Sequence, residues 1–170
     1  KIKRADRMKK YSYIIIFLFI TVSYSQKILI PMDSTQKDHL KAYGIAFHSL
    51  KKSNDIEWLL NYRGGSFLLN DLPGLQKLCT VRGVSFELVN SQILSEILIT
   101  IEANNMDLVL LEKEPKIAVY SPPDKQPWDD AVTLALTYAE IDYDIIFDDE
   151  VINGDIKKYD WLHLHHEDFT

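Results

Sequence analysis

Residues 161–168, Trp-Leu-His-Leu-His-His-Glu-Asp, place three histidines and two carboxylates within six positions. Side chains alternate along a strand, so an extended segment here puts Trp161, His163 and His165 on one face. Two histidines at that spacing can hold a metal ion, with Glu167 or Asp168 completing its shell. Without a metal, the same residues offer acid–base chemistry. Imidazole titrates near neutral pH, and an adjacent carboxylate tunes it or fixes its tautomer. His165, His166 and Glu167 are therefore the candidate catalytic residues, and His163 with His165 the alternative metal pair. A structural reading competes with both: His163 as a hydrogen-bonded core histidine, and the rest as a polar loop. The helix-borne H-E-x-x-H pair of zinc hydrolases is not in the sequence.

A second group offers binding rather than catalysis. Arg63-Gly64-Gly65-Ser66 can turn backbone N–H groups toward an anion, with Arg63 as counter-charge. It lacks the Lys-Ser/Thr of a P-loop, and glycines at such turns also serve geometry alone. Asp33, Asn61, Arg63, Gly64, Gly65 and Ser121 form the candidate ligand-binding set. Asp148-Asp149-Glu150 reads as a solvated acidic turn, and Trp128 and Trp161 as core. Cys79, beside Leu78 in a helical pattern, reads as buried rather than nucleophilic. No cofactor motif is read from the sequence.

These residues need a scaffold, and hydrophobic periodicity supplies one. Strands are expected at 27–31, 57–62, 84–89, 116–120, 143–147 and 160–165. Helices are expected at 34–50, 72–82, 91–103 and 129–141, the first capped by Asp33 or Ser34. Residues 107–111 are apolar without a clear type. Strands alternating with helices of this length imply βαβ units. The expected fold is therefore α/β, a mostly parallel open sheet of flavodoxin-like type with helices on both faces. Ligands bind such sheets beyond the carboxyl ends of the strands. That places Asp33, Asn61, Tyr62, Arg63, Ser121, the acidic turn and residues 165–168 along one edge.

The N-terminus carries an address. Met8-Lys9-Lys10, the apolar run Ile14–Val22 and the small residues Ser23 and Ser25 follow the order of a secretory signal, with a mature start at Gln26. Nine apolar residues are too few to span a bilayer, so no permanent membrane anchor is expected. The expectation is export by the Sec route to the periplasm or beyond. Residues 1–25 hold six Lys/Arg and one Asp, which leaves 13 basic and 24 acidic residues in the remainder. A surface that acidic repels nucleic acid and anionic lipid; the partner left open is a small molecule or a glycan. One cysteine permits no internal disulfide framework. The chain divides on this reading into the leader 1–25, an α/β segment 26–113 and a further α/β segment 114–170. The last is expected to be incomplete.

Several stretches carry a resemblance: Lys27 to Asp33 (KILIPMD), His39 to Gly44 (HLKAYG), Asn61 to Ser66 (NYRGGS), Lys125 to Ala131 (KQPWDDA) and Tyr159 to Thr170. Together they resemble a family of exported flavobacterial proteins commonly labelled asparagine synthetase B, whose members are longer than this chain. Asparagine synthetases use an N-terminal cysteine and an S-G-G-x-D-S loop. Here Gln26 and a Gly64-Gly65-Ser66 without Asp-Ser stand in those places. From Lys116 onward, the order of elements is similar to the opening of class I glutamine amidotransferase-like domains. That resemblance implies an amidotransferase-like fold with any nucleophilic cysteine beyond residue 170. The alternatives are a metal-dependent hydrolase using His163 and His165, and a non-catalytic envelope or glycan-binding module.

Overall fold

Two sheets form, not one. A computed structural model describes residues 26–123 and 130–164. The first sheet is built from β1 (Lys27–Ile30), β2 (Ile56–Leu59), β3 (Ser66–Asn70), β4 (Glu87–Val89) and β5 (Leu108–Leu111). Its order is β4-β1-β3-β2-β5, and every pairing is antiparallel. Helices α1 (His39–Lys51), α2 (Leu75–Val81) and α3 (Ser91–Ala103) join these strands. The second sheet holds β6 (Ile117–Tyr120), β7 (Asp144–Ile146) and β8 (Trp161–Leu164), with α4 (Ala131–Ala139) and the short α5 (Asp148–Ile152) between them. Its order is β7-β6-β8, and both pairings are parallel.

This corrects the expectation of a single mostly parallel open sheet, and with it the flavodoxin-like and amidotransferase-like fold. The error turns on β3. Phe67, Leu68 and Leu69 are each 3% exposed or less, so Ser66–Asn70 is buried on both faces and shows no polar alternation for a strand pattern to catch. The strand inserts between β1 and β2. Those two remain parallel in direction, since each runs antiparallel to β3, but they are not ladder neighbours, and the Lys27–Glu57 ion pair at 2.6 Å reaches across between them. β1 likewise separates β3 from β4. Both β-helix-β crossovers exist, and each is split by a strand of the other. This is the split βαβ arrangement.

The sheet's two faces follow from the period of two. Ile28, Ile30, Ile56, Phe67 and Leu69 pack under α1 and α2, around Ala42, Ile45, Leu50, Leu75 and Cys79. Leu29, Leu59, Leu68 and Val89 point the other way, onto Ile97 and Ile101 of α3. A side chain of this size contributes about 1.5–3 kcal/mol when fully buried, so these two layers carry most of the stability of the first sheet.

Helix α1 starts later than expected, and its cap is neither Asp33 nor Ser34. Asp38 accepts the Lys41 N–H at 2.9 Å. Asp33 instead accepts from the backbone of Thr35 in a local turn. The acidic run 148–150 is not a turn but the first part of α5, where Glu150 reaches back to the Phe147 N–H.

The two sheets meet where α1 crosses α4. Gly44 makes the approach possible: a Cβ there would lie 1.9 Å from the backbone oxygen of Ala139. Around that contact, Lys41 pairs with Glu140 at 2.8 Å, Arg82 with Glu140 and Lys51 with Asp142, and Tyr138 donates to Asp38. Beside the crossing lies an apolar cleft of about 280 Å³, lined by Phe47, Trp58, Leu111, Leu136 and Trp161 among others. Trp161, read from sequence as core, is 43% exposed at its edge. Among the described residues no helix is long and apolar enough to cross a membrane. The expected leader, 1–25, and Trp128 lie outside the described residues.

Candidate functional site

Two polar clusters deserve a chemical account, and the first is closed. The connection from β2 to β3 is a tight reversal with Asn61, Arg63, Gly64 and Gly65 all at positive φ. At Gly64 the requirement is steric as well, since a Cβ would stand 2.4 Å from Met32 O. Arg63 leans back over the end of β1. Its Nε donates to Asp33 at 2.8 Å, Nη1 to Glu87 at 2.8 Å and Nη2 to the Thr35 hydroxyl at 3.1 Å. The Arg63 guanidinium, with help from Thr35, holds the Asp33 carboxyl at about 2. The Met32 N–H donates to Arg63 O, and Trp58 Nε1 to Gly65 O.

Thus Asp33 and Arg63, expected on one edge, are in contact, because β1 and β2 keep the same direction across β3. Every nitrogen of the guanidinium already has an oxygen of this chain. An incoming anion would meet two carboxylates rather than a vacant counter-charge. Gly64 and Gly65 serve the hairpin's geometry.

The second cluster lies at the carboxyl ends of the parallel strands. β7 and β8 flank β6 on opposite sides, so chain order reverses between β6 and β8. A crevice outside the carboxyl ends at such a reversal is where parallel sheets receive ligands. Among the described residues, Asp130, His163, Ser121, Tyr120 and Asp148 are polar groups at that end. Asp130 caps α4, accepting from Val132 N at 2.6 Å and Thr133 N at 3.1 Å through Oδ1. Its Oδ2 meets His163 Nε2 at 3.0 Å. The residue is 4% exposed. Burial alone would raise its pKa, but hydrogen bonds from His163, Thr133 and Val132 outweigh burial and hold it at about 2.

An ionised carboxylate can only accept, so the proton between the two groups sits on His163 Nε2. In the neutral ring this leaves Nδ1 as an acceptor of fixed orientation. Ser121 directly follows β6, and its N–H donates to Ile146 O at 3.0 Å. Among the described residues its hydroxyl has no hydrogen-bond partner, and the residue is only 2% exposed. A buried hydroxyl left unpaired costs about 1–3 kcal/mol, so this atom is an exception that asks for a partner. Tyr120, the last residue of β6, donates to Asp148 at 2.6 Å.

The candidate catalytic residues His165, His166 and Glu167 lie outside the described residues. The metal reading is corrected. Among the described residues no group of three His, Cys, Asp or Glu side chains could hold a metal ion, and His163 turns its Nε2 to Asp130 instead. Asn61 helps turn the hairpin, on a different sheet from Ser121. Cys79 is fully buried, and burial pushes its thiol up to about 11.

Sequence reasoning missed Asp130. An Asp immediately before the apolar pattern of Ala131–Ala139 is an N-cap signature, and that signal was legible. Its pairing with a histidine 33 positions away was not, because only the fold brings the two together. Comparison with known proteins finds no matching family, no matching curated protein and no matching solved structure.

Proposed function

We propose that the crevice between the carboxyl ends of β6 and β8 binds a small, neutral, hydroxyl-bearing molecule, a free sugar or a short glycan. The observation that carries this reading is the Ser121 hydroxyl, buried and unpartnered at the strand-order reversal. A hydroxyl both donates and accepts, and so does the ligand group that would satisfy it. His163, oriented by Asp130 at 3.0 Å, adds a second polar group at the same end of the sheet. The charge balance selects against anions: the ionised Asp130 occupies the α4 N-terminus, where a phosphate or carboxylate would otherwise be welcome. The acidic surface acts in the same direction.

Ser121→Ala separates a binding role from a structural one. Removing a hydroxyl that has no partner in the unliganded protein relieves a desolvation cost. The variant is expected to match or exceed the parent in unfolding free energy, by up to about 1 kcal/mol. Ligand affinity moves the opposite way and falls about tenfold, the worth of one hydrogen bond. The probe is a panel of neutral mono- and oligosaccharides titrated into the protein, read from the His163 ring resonances by NMR. At least one member is expected to shift them saturably. A panel that moves none of them, or a Ser121→Ala protein that loses stability and keeps its binding, refutes the proposal.

A further inference from the structure

The outer edge of β5 has the pattern of a strand that pairs with itself. Leu108, Val109 and Leu110 are 40%, 39% and 52% exposed, and β5 closes the order of its sheet. Edge strands left bare are usually short, charged or interrupted by proline, because an open ladder invites another chain. Leu108–Leu111 (LVLL) is short, at four residues, but no shorter than its neighbour β2, and it has neither a charge nor a proline.

Which groups face outward follows from the pairing with β2. Leu60 N donates to Asp107 O, and these residues continue the register in which Trp58 faces Val109 and Ile56 faces Leu111. Residues 107, 109 and 111 therefore turn their backbone groups to β2. In an antiparallel pair the residues that exchange hydrogen bonds alternate with those that do not, so Leu108, Leu110 and Glu112 present theirs outward.

We infer that the protein forms a twofold dimer through antiparallel β5–β5 pairing centred on Leu110. Only outward-facing residues can exchange bonds across the new ladder, so Leu108, Leu110 and Glu112 must pair among themselves. Pairing centred between Val109 and Leu110 breaks that parity, and it would also set Asp107 against the partner's Glu112. The register centred on Leu110 keeps the parity. It places Leu110 against its own copy, Val109 against the partner's Leu111, Leu108 against the partner's Glu112, and Asp107 against the partner's Lys113. Two cross-strand pairs of opposite charge, in which Lys113 shares itself with the exposed Asp160 of its own chain at 3.3 Å, then flank a centre that is apolar from Val109 to Leu111. The contact is self-complementary and closes as a dimer, extending the sheet of each copy into one of ten strands.

Sedimentation equilibrium of the purified chain over a range of concentrations tests this. The expected result is a reversible monomer–dimer equilibrium. Leu110→Lys puts two ammonium groups face to face on the twofold axis and is expected to raise the dissociation constant at least about tenfold, since like charges opposite one another destabilise a ladder. The residue is half exposed, so the monomer should keep its circular dichroism. Asp107→Lys weakens the dimer several-fold at low salt, and adding Lys113→Asp in the same chain restores it. A monomer at every concentration, open-ended polymers, or a dimer indifferent to Leu110→Lys overturns the inference. Failure of the charge swap to rescue overturns the register.

Discussion

Gly44→Ala should destabilise the protein by about 2 kcal/mol, against the ordinary rule for helices. In an exposed helix interior, replacing glycine by alanine gains about 1 kcal/mol through propensity. Here the new methyl carbon would sit 1.9 Å from the backbone oxygen of Ala139, and a backbone atom at a helix end cannot swing aside as a flexible side chain would. Overpacking costs about 1–3 kcal/mol, and a clash with backbone belongs at or beyond the upper end, so the steric term wins. The two helices must part, and the pairs Lys41–Glu140, Arg82–Glu140 and Lys51–Asp142 stretch with them. Urea denaturation followed by tryptophan fluorescence reads the result. A variant more stable than its parent would show that α1 and α4 do not meet this closely.

Asp130→Ala is expected to cost more, about 3 kcal/mol. It removes the cap of α4, worth about 1 kcal/mol. It also leaves the N–H groups of Val132 and Thr133 and the Nε2 of His163 without their acceptor, a desolvation cost of about 1–3 kcal/mol. Asp130→Asn keeps an equally good capping oxygen and should lose less than half as much. A pH signature accompanies the loss. The folded-state pKa of Asp130, about 2, lies below its ordinary value of 3.8, so the stability it contributes is present in full above the ordinary value. It is lost as the pH falls through the folded value. The amount is about 2 kcal/mol, withdrawn between roughly pH 4 and pH 2. Asp33, held near the same value by Arg63 and Thr35, titrates in the same window. The acid limb of the stability curve should therefore become shallower in Asp130→Ala without disappearing. An unchanged limb would mean that the carboxylate is not ionised against His163.

How much of this was legible depends on whether the signal was local. Helix α3 lies on the residues its period predicted, Ser91–Ala103, because Ile97 and Ile101 mark its buried stripe and Asn90 caps it. β6, with its run Ile117 to Val119 and a polar residue at the end, was equally plain. The sheet's topology was not, because it hangs on one buried strand. Ser66–Asn70 has no amphipathic period, and it follows two glycines that are equally natural in a phosphate loop. Reading the turn for chemistry hid the hairpin. Without that strand, alternating strands and helices lead to parallel pairing; with it, the same crossovers yield antiparallel neighbours. Asp33 and Arg63 were expected only to share one edge, with Arg63 free for an anion; their pairing with each other and the identity of His163's partner depend on the fold.

The solitary cysteine has a practical use that follows from its place on the buried face of α2. Its sulfur is shielded by the first core layer, and burial pushes the thiol up to about 11, so very little thiolate exists near neutrality and none of it is reachable. Alkylation proceeds through the accessible thiolate, which arises here only when the helix lifts from the sheet. The modification rate at Cys79 thus counts opening events, in a protein with no second thiol to confuse the trace. Followed under native conditions, it reports the free energy of exposing that layer, with no denaturant and no engineered probe.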